Sequence, residues 1–373
     1  TVGSDAIFNL ASFDNAIGSL AGSGAVTLGS GTLTTGSNQS SIWSGEIAGT
    51  GGLIKTGSTD FTLASQQSYT GVTALKQGTL QAGAMDVIAA SSGLTVDSGA
   101  TFNLASFDNT IGSLAGSGTV KLGSGTLTTG STQTTSWSGN IAGAGGLIKT
   151  GSTEFTFANA QSYTGTTTVS RGTLNAGVAN VIAASSGLTV GSDAIFNLAS
   201  FDNAIGFLAG NGTVTLGMGT LTTGSTQSSI WSGNITGTGG LIKTGSTDFT
   251  IARQQSYTGS TAVKQGTLQA GAMDIIAASA GLTVDSGATF NLASFDNTIG
   301  SLAGSGAVTL GSGTLTTGNI QSTSWSGNIT GAGGLTKTGA TNFTLATRQS
   351  YTGITAVKQG TLHALASDVI ATS

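Results

Sequence analysis

Gly51-Gly52-Leu53-Ile54-Lys55-Thr56-Gly57-Ser58-Thr59-Asp60-Phe61-Thr62-Leu63 holds two short alternating runs parted by a corner of glycine, serine and threonine. The stretch returns from Gly145, Gly239 and Gly333, a step of 94 residues each time. Comparing the copies assigns its faces. Phe61, Phe155, Phe249 and Phe343 never change, whereas the residue before them runs Asp60, Glu154, Asp248, Asn342. A position that takes an acid or an amide faces water, and one that keeps phenylalanine four times faces a core. Phe61 and Leu63 are therefore predicted inside and Asp60 outside, with the period of two that belongs to strands.

Outward from this stretch the repetition fills the chain. Trp43, Trp137, Trp231 and Trp325 keep the step of 94, as do the Tyr-Thr-Gly triplets that begin at Tyr69, Tyr163, Tyr257 and Tyr351. Trp43 is constant while its neighbour runs Ile42, Ser136, Ile230, Ser324, so the tryptophan points in and the neighbour out. The same logic places Phe8, Leu10, Val26, Leu28, Leu33, Leu53, Leu75 and Leu80 inside, with their equivalents in the other three copies. Divided at its corners, the first copy gives stretches 1–24, 25–51, 52–71 and 72–94, each the length of one coil of a parallel β-helix. The expectation is an all-β solenoid of about four coils per copy and about sixteen in all, a rod on the order of 75 Å at about 4.8 Å per coil. Residues 1–94, 95–188, 189–282 and 283–373 are its four repeats, joined as one continuous stack. A leucine-rich horseshoe would need a denser Leu/Asn frame, which is absent.

Composition agrees with a folded, exported array. Only 7% of residues are charged and 38% are hydrophobic, which does not suit a disordered chain. With 11 scattered basic residues and a net charge of −4, no Lys/Arg cluster can neutralise a phosphate backbone, so no nucleic-acid partner is expected. No apolar run approaches the roughly 20 residues of a membrane span, so no membrane insertion by this segment is expected. Cysteine is absent, which leaves cohesion to stacking. Proline is absent too, as expected where every strand is an inner rung that needs its N–H. Glycine clusters such as 48–52 and 22–24, and the Phe13-Asp14-Asn15 triplet, mark the corners.

Lys55, with Lys149, Lys243 and Lys337, leaves two readings open. Its parity with Leu53 points it inward, where a lone ammonium would be costly. Either the strand ends near Ile54 and the lysine escapes at a corner, or it lies inward, satisfied by turn carbonyls or by the acid at position 60.

Gly51-Gly52-Leu53-Ile54-Lys55-Thr56-Gly57, Phe61-Thr62-Leu63, Ser68-Tyr69-Thr70-Gly71, Thr73 and Gly78-Thr79-Leu80, in this order and four times over, resemble the passenger-associated strand repeat of bacterial autotransporters. The rest of each copy, as in Gly99-Ala100-Thr101-Phe102-Asn103-Leu104 and 111–118, is similar to linker coils of such passengers. Gln66-Gln67 and Gly57-Ser58-Thr59-Asp60 depart from the family pattern at corners. The resemblance implies a right-handed parallel β-helix carried through the outer membrane, displayed on the cell surface or released, and part of a longer polypeptide.

Chemistry is sparse. His363 replaces Gln81, Asn175 and Gln269 of the other copies, and one imidazole supports neither a catalytic triad nor a zinc site. Asp14, Asp86 and the acids at 60 and 97 suit corners, and Asp86 becomes Asn180 in the second copy. Gly51-Gly52-Leu53-Ile54 breaks the calcium nonapeptide at once. Asn211 and Asn234 match the glycan acceptor pattern by composition alone. Thr32-Leu33-Thr34 recurs once per copy, which at four coils per copy spaces its threonines about 19 Å apart, too sparse for an ice lattice. No catalytic, cofactor or metal residue is expected, and the partner-contacting residues are unassigned. The functional expectation is a non-enzymatic stalk or adhesin whose partners are a host or neighbouring-cell surface, or other copies of itself. The alternative is a fibre subunit assembling head to tail through its solenoid ends.

Overall fold

The computed structural model describes residues 1–130 and 132–370, so Ser131 and the last three residues of the expected fourth repeat lie outside the described residues. Two units make up the chain, Thr1–Ser186 and Gly187–Ser373. Each is a parallel β-solenoid of right-handed type, and the described residues contain no helix. Strands are two to ten residues long. They pair in parallel with the strand directly above or below, as Ile7 does with Ala25 and Leu80 with Phe102. That offset is one coil.

Three faces build the first unit. The first runs from Ile7–Asn9 through Ala25–Thr27 and Glu46–Ala48, and reaches Leu127–Thr129, Leu147–Lys149 and the start of Thr167–Ala176. The second stacks Leu33–Thr35, Leu53–Lys55, Thr73–Leu75, Leu94–Val96, Leu114–Gly116, Thr135–Trp137 and Glu154–Phe157. The third stacks Ser41–Trp43, Asp60–Leu63, Gly78–Ala82, Ala100–Asn103, Thr119–Gly123 and Asn140–Gly143. In the second unit, Leu188–Asn197 supplies two faces and Asn203–Ala204 begins the third.

Because the registers are parallel, inward residues of successive coils form columns. Phe61 meets Leu80, Phe102, Val120 and Ile141 in turn, all fully buried, as are the four tryptophans. Each such side chain contributes about 1.5–3 kcal/mol of burial. The inward assignments hold, with differences at the first and last coils, which are covered on one side only. Phe8 is half-buried although Phe102, Phe196 and Phe290 are sealed, and Val357, counterpart of Leu75, is exposed.

The coils are shorter than the sequence suggests. There are about 18 turns, against the expected sixteen or so, and one copy spans about four and two-thirds coils. Two-residue strands such as Asn15–Ala16 occupy what reads as corner, which divides each coil into three sides rather than lengthening it. The fraction matters within each unit. Trp43 belongs to the third face, but Trp137 stacks on Gly116 in the second. Likewise Trp231 pairs with Gly210 on one face and Trp325 with Gly304 on another. Thr34 and Thr128 also fall on different faces, so the expected regular spacing of these threonines along one face does not arise.

Corners stack as closely as strands. A Cβ at Gly145 would lie 1.8 Å from the Gly125 carbonyl oxygen, and backbone cannot yield there. Against expectation, some corners bend through non-glycine residues. Ala11 and Ser12 have φ of 48° and 68°, and their counterparts in the other three copies do the same.

Candidate functional site

The most organised polar site is internal. Lys55 belongs to the strand Leu53–Lys55 and is fully buried, so the escape at a corner is overturned. Its Nζ donates to four backbone carbonyls: Gly36 at 3.2 Å, Thr56 at 2.7 Å, Gly57 at 2.8 Å and Gln77 at 3.2 Å. Gly36 and Gln77 belong to the coils on either side, so one ammonium ties three coils together. Positive φ at Gly36 and Gly78 clears the space, for a Cβ there would meet Lys55 Cδ at 2.5 Å or Nζ at 2.9 Å. The Gly36 carbonyl also accepts from Thr59 Oγ1.

The cage recurs at Lys149, Lys243 and Lys337. Burial pulls Lys149 and Lys243 down to about 8, with Asp248 partly offsetting this at Lys243. Lys55 and Lys337 are lowered by the same burial, and Asp60 counteracts it at Lys55. Carbonyls, not the acid, supply the contacts. Sealed from solvent, the amines serve as struts.

Two further buried networks repeat. Gln67 accepts the Ile47 N–H through Oε1 at 2.7 Å and donates through Nε2 to Gly45 and Ser65 carbonyls. Tyr69 shares a 2.7 Å hydrogen bond with Thr73, whose hydroxyl donates to Ser91, and burial pushes the phenol up.

An apolar feature of the surface recurs in all four copies. Leu10-Ala11-Ser12-Phe13-Asp14-Asn15 reappears unchanged at 104–109, 198–203 and 292–297. Asp14 Oδ1 accepts the Thr32 N–H at 2.7 Å and Ser12 Oγ that of Ser30, which locks the corner to the next coil. Its phenylalanine is left outside: Phe13 is 72% exposed and Phe107, Phe201 and Phe295 are 38–40% exposed. Alternation does not extend through a corner, so parity had assigned this ring no side.

The other sequence candidates are dispersed. His363 is exposed on the strand Thr361–Ala364, opposite Thr344. Asp86 Oδ1 caps the Thr110 N–H, and Asp97 pairs with Lys76 at 3.0 Å. Among the described residues no three of His, Cys, Asp and Glu converge on a metal site. A shallow groove runs along Ser4, Ser23, Ser44 and Ser65.

These coils, cornered by glycine and strutted by lysine, define a class. The family described as passenger-associated-transport-repeat matches residues 53–82, 147–176, 241–270 and 335–364; the first match runs from the strand of the caged lysine, past its partner one coil on, Thr73–Leu75, to the end of the following strand Gly78–Ala82. The chain belongs to the autotransporter passengers built on these repeats. Over 342 residues it is 36% identical to an adhesin BmaC autotransporter of Brucella suis biovar 1 (strain 1330), across 86% of this chain. The chain spans about a tenth of the length of that curated relative, the aligned part being 10% of it. No solved structure matches it significantly.

Proposed function

We propose that this chain is a non-enzymatic segment of a secreted surface passenger, an elongated rod of four continuous repeats that acts as stalk and adhesive surface. The observation that carries the reading is repetition with one local register: each copy keeps the same inward columns and corner locks, and buried positions such as Leu63, Phe157, Ile251 and Leu345 exchange one apolar side chain for another. Such arrays spread their contacts along the axis, where an enzyme would concentrate a pocket. The relative named an adhesin, and the transport repeats, support surface display and contact with a host or neighbouring cell.

The test is attachment. Beads coated with the purified chain should bind cells above beads coated with an unrelated β-solenoid. Equal binding would remove the adhesive role and leave the stalk. Small-angle scattering should show an elongated particle, and a compact one would remove the stalk as well. Growth of particle mass with concentration would favour the head-to-tail fibre instead.

A further inference from the structure

The chain has three methionines, Met85, Met218 and Met273, and all are exposed, at 63%, 78% and 63%. Single exposed apolar residues are ordinary. Here each lies within one coil of an exposed corner phenylalanine. The strands before Met85 and Phe107 pair Leu80 with Phe102, and Asp86 N–H donates to the Asp108 carbonyl at 3.1 Å, so Met85 and Phe107 sit at one corner on adjacent coils, a residue out of register. Met273 and Phe295 stand in the same relation, between the pairing of Leu268 with Phe290 and the 3.1 Å bond from Asp274 to Asp296. Met218 sits beside Phe201, its N–H donating to Ser200 Oγ.

At these two corners each apolar residue is followed in sequence by a carboxylate. Asp86 and Asp108 stand one coil apart, about 4.8 Å along the axis. One oxygen of each is tethered, Asp86 Oδ1 by the Thr110 N–H and Asp108 Oδ1 by the Thr126 N–H, both at 2.7 Å. Asp274 and Asp296 are held in the same way by Thr298 and Thr314. The carboxylates are thus fixed before any partner arrives, which limits the ordering cost of binding. The second copy loses thioether and carboxylate together, carrying Ala179 and Asn180 at these positions.

We propose that the corners Met85–Phe107 and Met273–Phe295 recognise arginine side chains of a basic polypeptide. A guanidinium is flat and weakly hydrated. It can lie against the phenylalanine ring and the flexible methionine while its fork of donors spans two carboxylates one coil apart. A lysine ammonium is a compact, strongly hydrated point and meets only part of this set. The chain's net charge of −4 favours the approach. This deepens the adhesive reading by naming the partner's chemistry, and rests on it.

Calorimetric titration of the whole chain with hexa-arginine and hexa-lysine peptides tests the site. The arginine peptide should bind about tenfold more tightly, at two sites per chain. The double variant Phe107→Ser/Phe295→Ser should lose that preference with an unchanged melting profile. D86N/D274N, whose asparagine the second copy already accommodates, should weaken arginine binding about tenfold. Equal binding of the two peptides, or an undiminished preference in either folded double variant, would overturn the proposal. Bead attachment separates the two readings: if cells still bind beads coated with the serine variant as well as the parent, the corners are wrong and adhesion stands.

Discussion

Replacing Lys149 by methionine keeps the aliphatic stem and removes only the ammonium, so the cost reports the carbonyl cage rather than a cavity. Four carbonyls lose a donor: Gly130 at 3.2 Å, Thr150 at 2.5 Å, Gly151 at 3.0 Å and Arg171 at 3.2 Å. The Gly130 oxygen keeps Thr153 Oγ1, which leaves three to be stranded in a sealed corner. A buried polar group left unpaired costs about 1–3 kcal/mol. The lower end applies, because methionine also escapes the desolvation that an ammonium incurs on folding. The sum is about 3 kcal/mol. Lys76→Met is the control, since its ion pair with Asp97 is half-exposed and such pairs contribute about 0–1 kcal/mol. Urea unfolding followed by tryptophan fluorescence and far-ultraviolet dichroism measures both. A Lys149→Met variant within about 0.5 kcal/mol of the Lys76→Met control would refute the strut.

Gln161→Leu should destabilise by about 2 kcal/mol in the same assay, because it strands the buried Ile141 N–H and the Gly139 carbonyl, and a loss below about 0.5 kcal/mol would contradict this. Stability should also depend on pH in two opposite senses. Lys149 and Lys243 give up their protons near pH 8 when folded but near 10.5 when unfolded. The unfolded chain binds more protons in that window, so stability rises with pH there. The buried phenols are raised above their ordinary value of 10, so above about pH 10 the unfolded chain releases protons that the folded one keeps, and stability falls. Scanning calorimetry should therefore find a melting temperature that climbs from pH 8 and turns over near pH 10. A steady decline from pH 7 would be the contrary result.

Much of this was legible in the sequence because copies within one chain act as substitutions made by nature. Trp43 stays while Ile42 becomes serine, and Phe61 stays while Asp60 becomes asparagine, so inside and outside separate without a structure. Lys55 shows the limit of that method. Parity sent it inward and the cost of a buried ammonium sent it out, and what decides the matter is a set of carbonyls, two of them from the coils before and after its own. Their convergence depends on positive φ at Gly36 and Gly78, which no pattern in 53–63 contains. Corners were the weak point throughout. Alternation stops there, so Phe13 had no predicted side, the positive φ of Ala11 and Ser12 gave no signal, and the strand Asn15–Ala16 read as turn.

That last misreading exposes how the array is built. A copy of 94 residues does not close a whole number of coils, yet the four copies keep their length without a single insertion. The reason lies in the reach of the contacts. Strand partners stand one coil apart, and the cage, the Gln67 bridge and the Asp14 lock all bond from one coil to the next. These contacts do not depend on which of three faces a residue occupies, and among the described residues one hydroxyl, Thr132 Oγ1, reaches a carbonyl two coils away, that of Ser92 at 2.8 Å. Selection therefore acts on local register, and a whole copy can be gained or lost at no cost to its neighbours, whereas a few extra residues cannot. Deleting residues 95–188 joins Leu94 to Thr189, where Thr95 stood, and should leave a folded chain with the same dichroism per residue. Inserting four residues after Gly112 should instead disrupt the columns around it. Loss of fold on the whole-copy deletion would mean that contacts beyond the adjacent coils hold the array together.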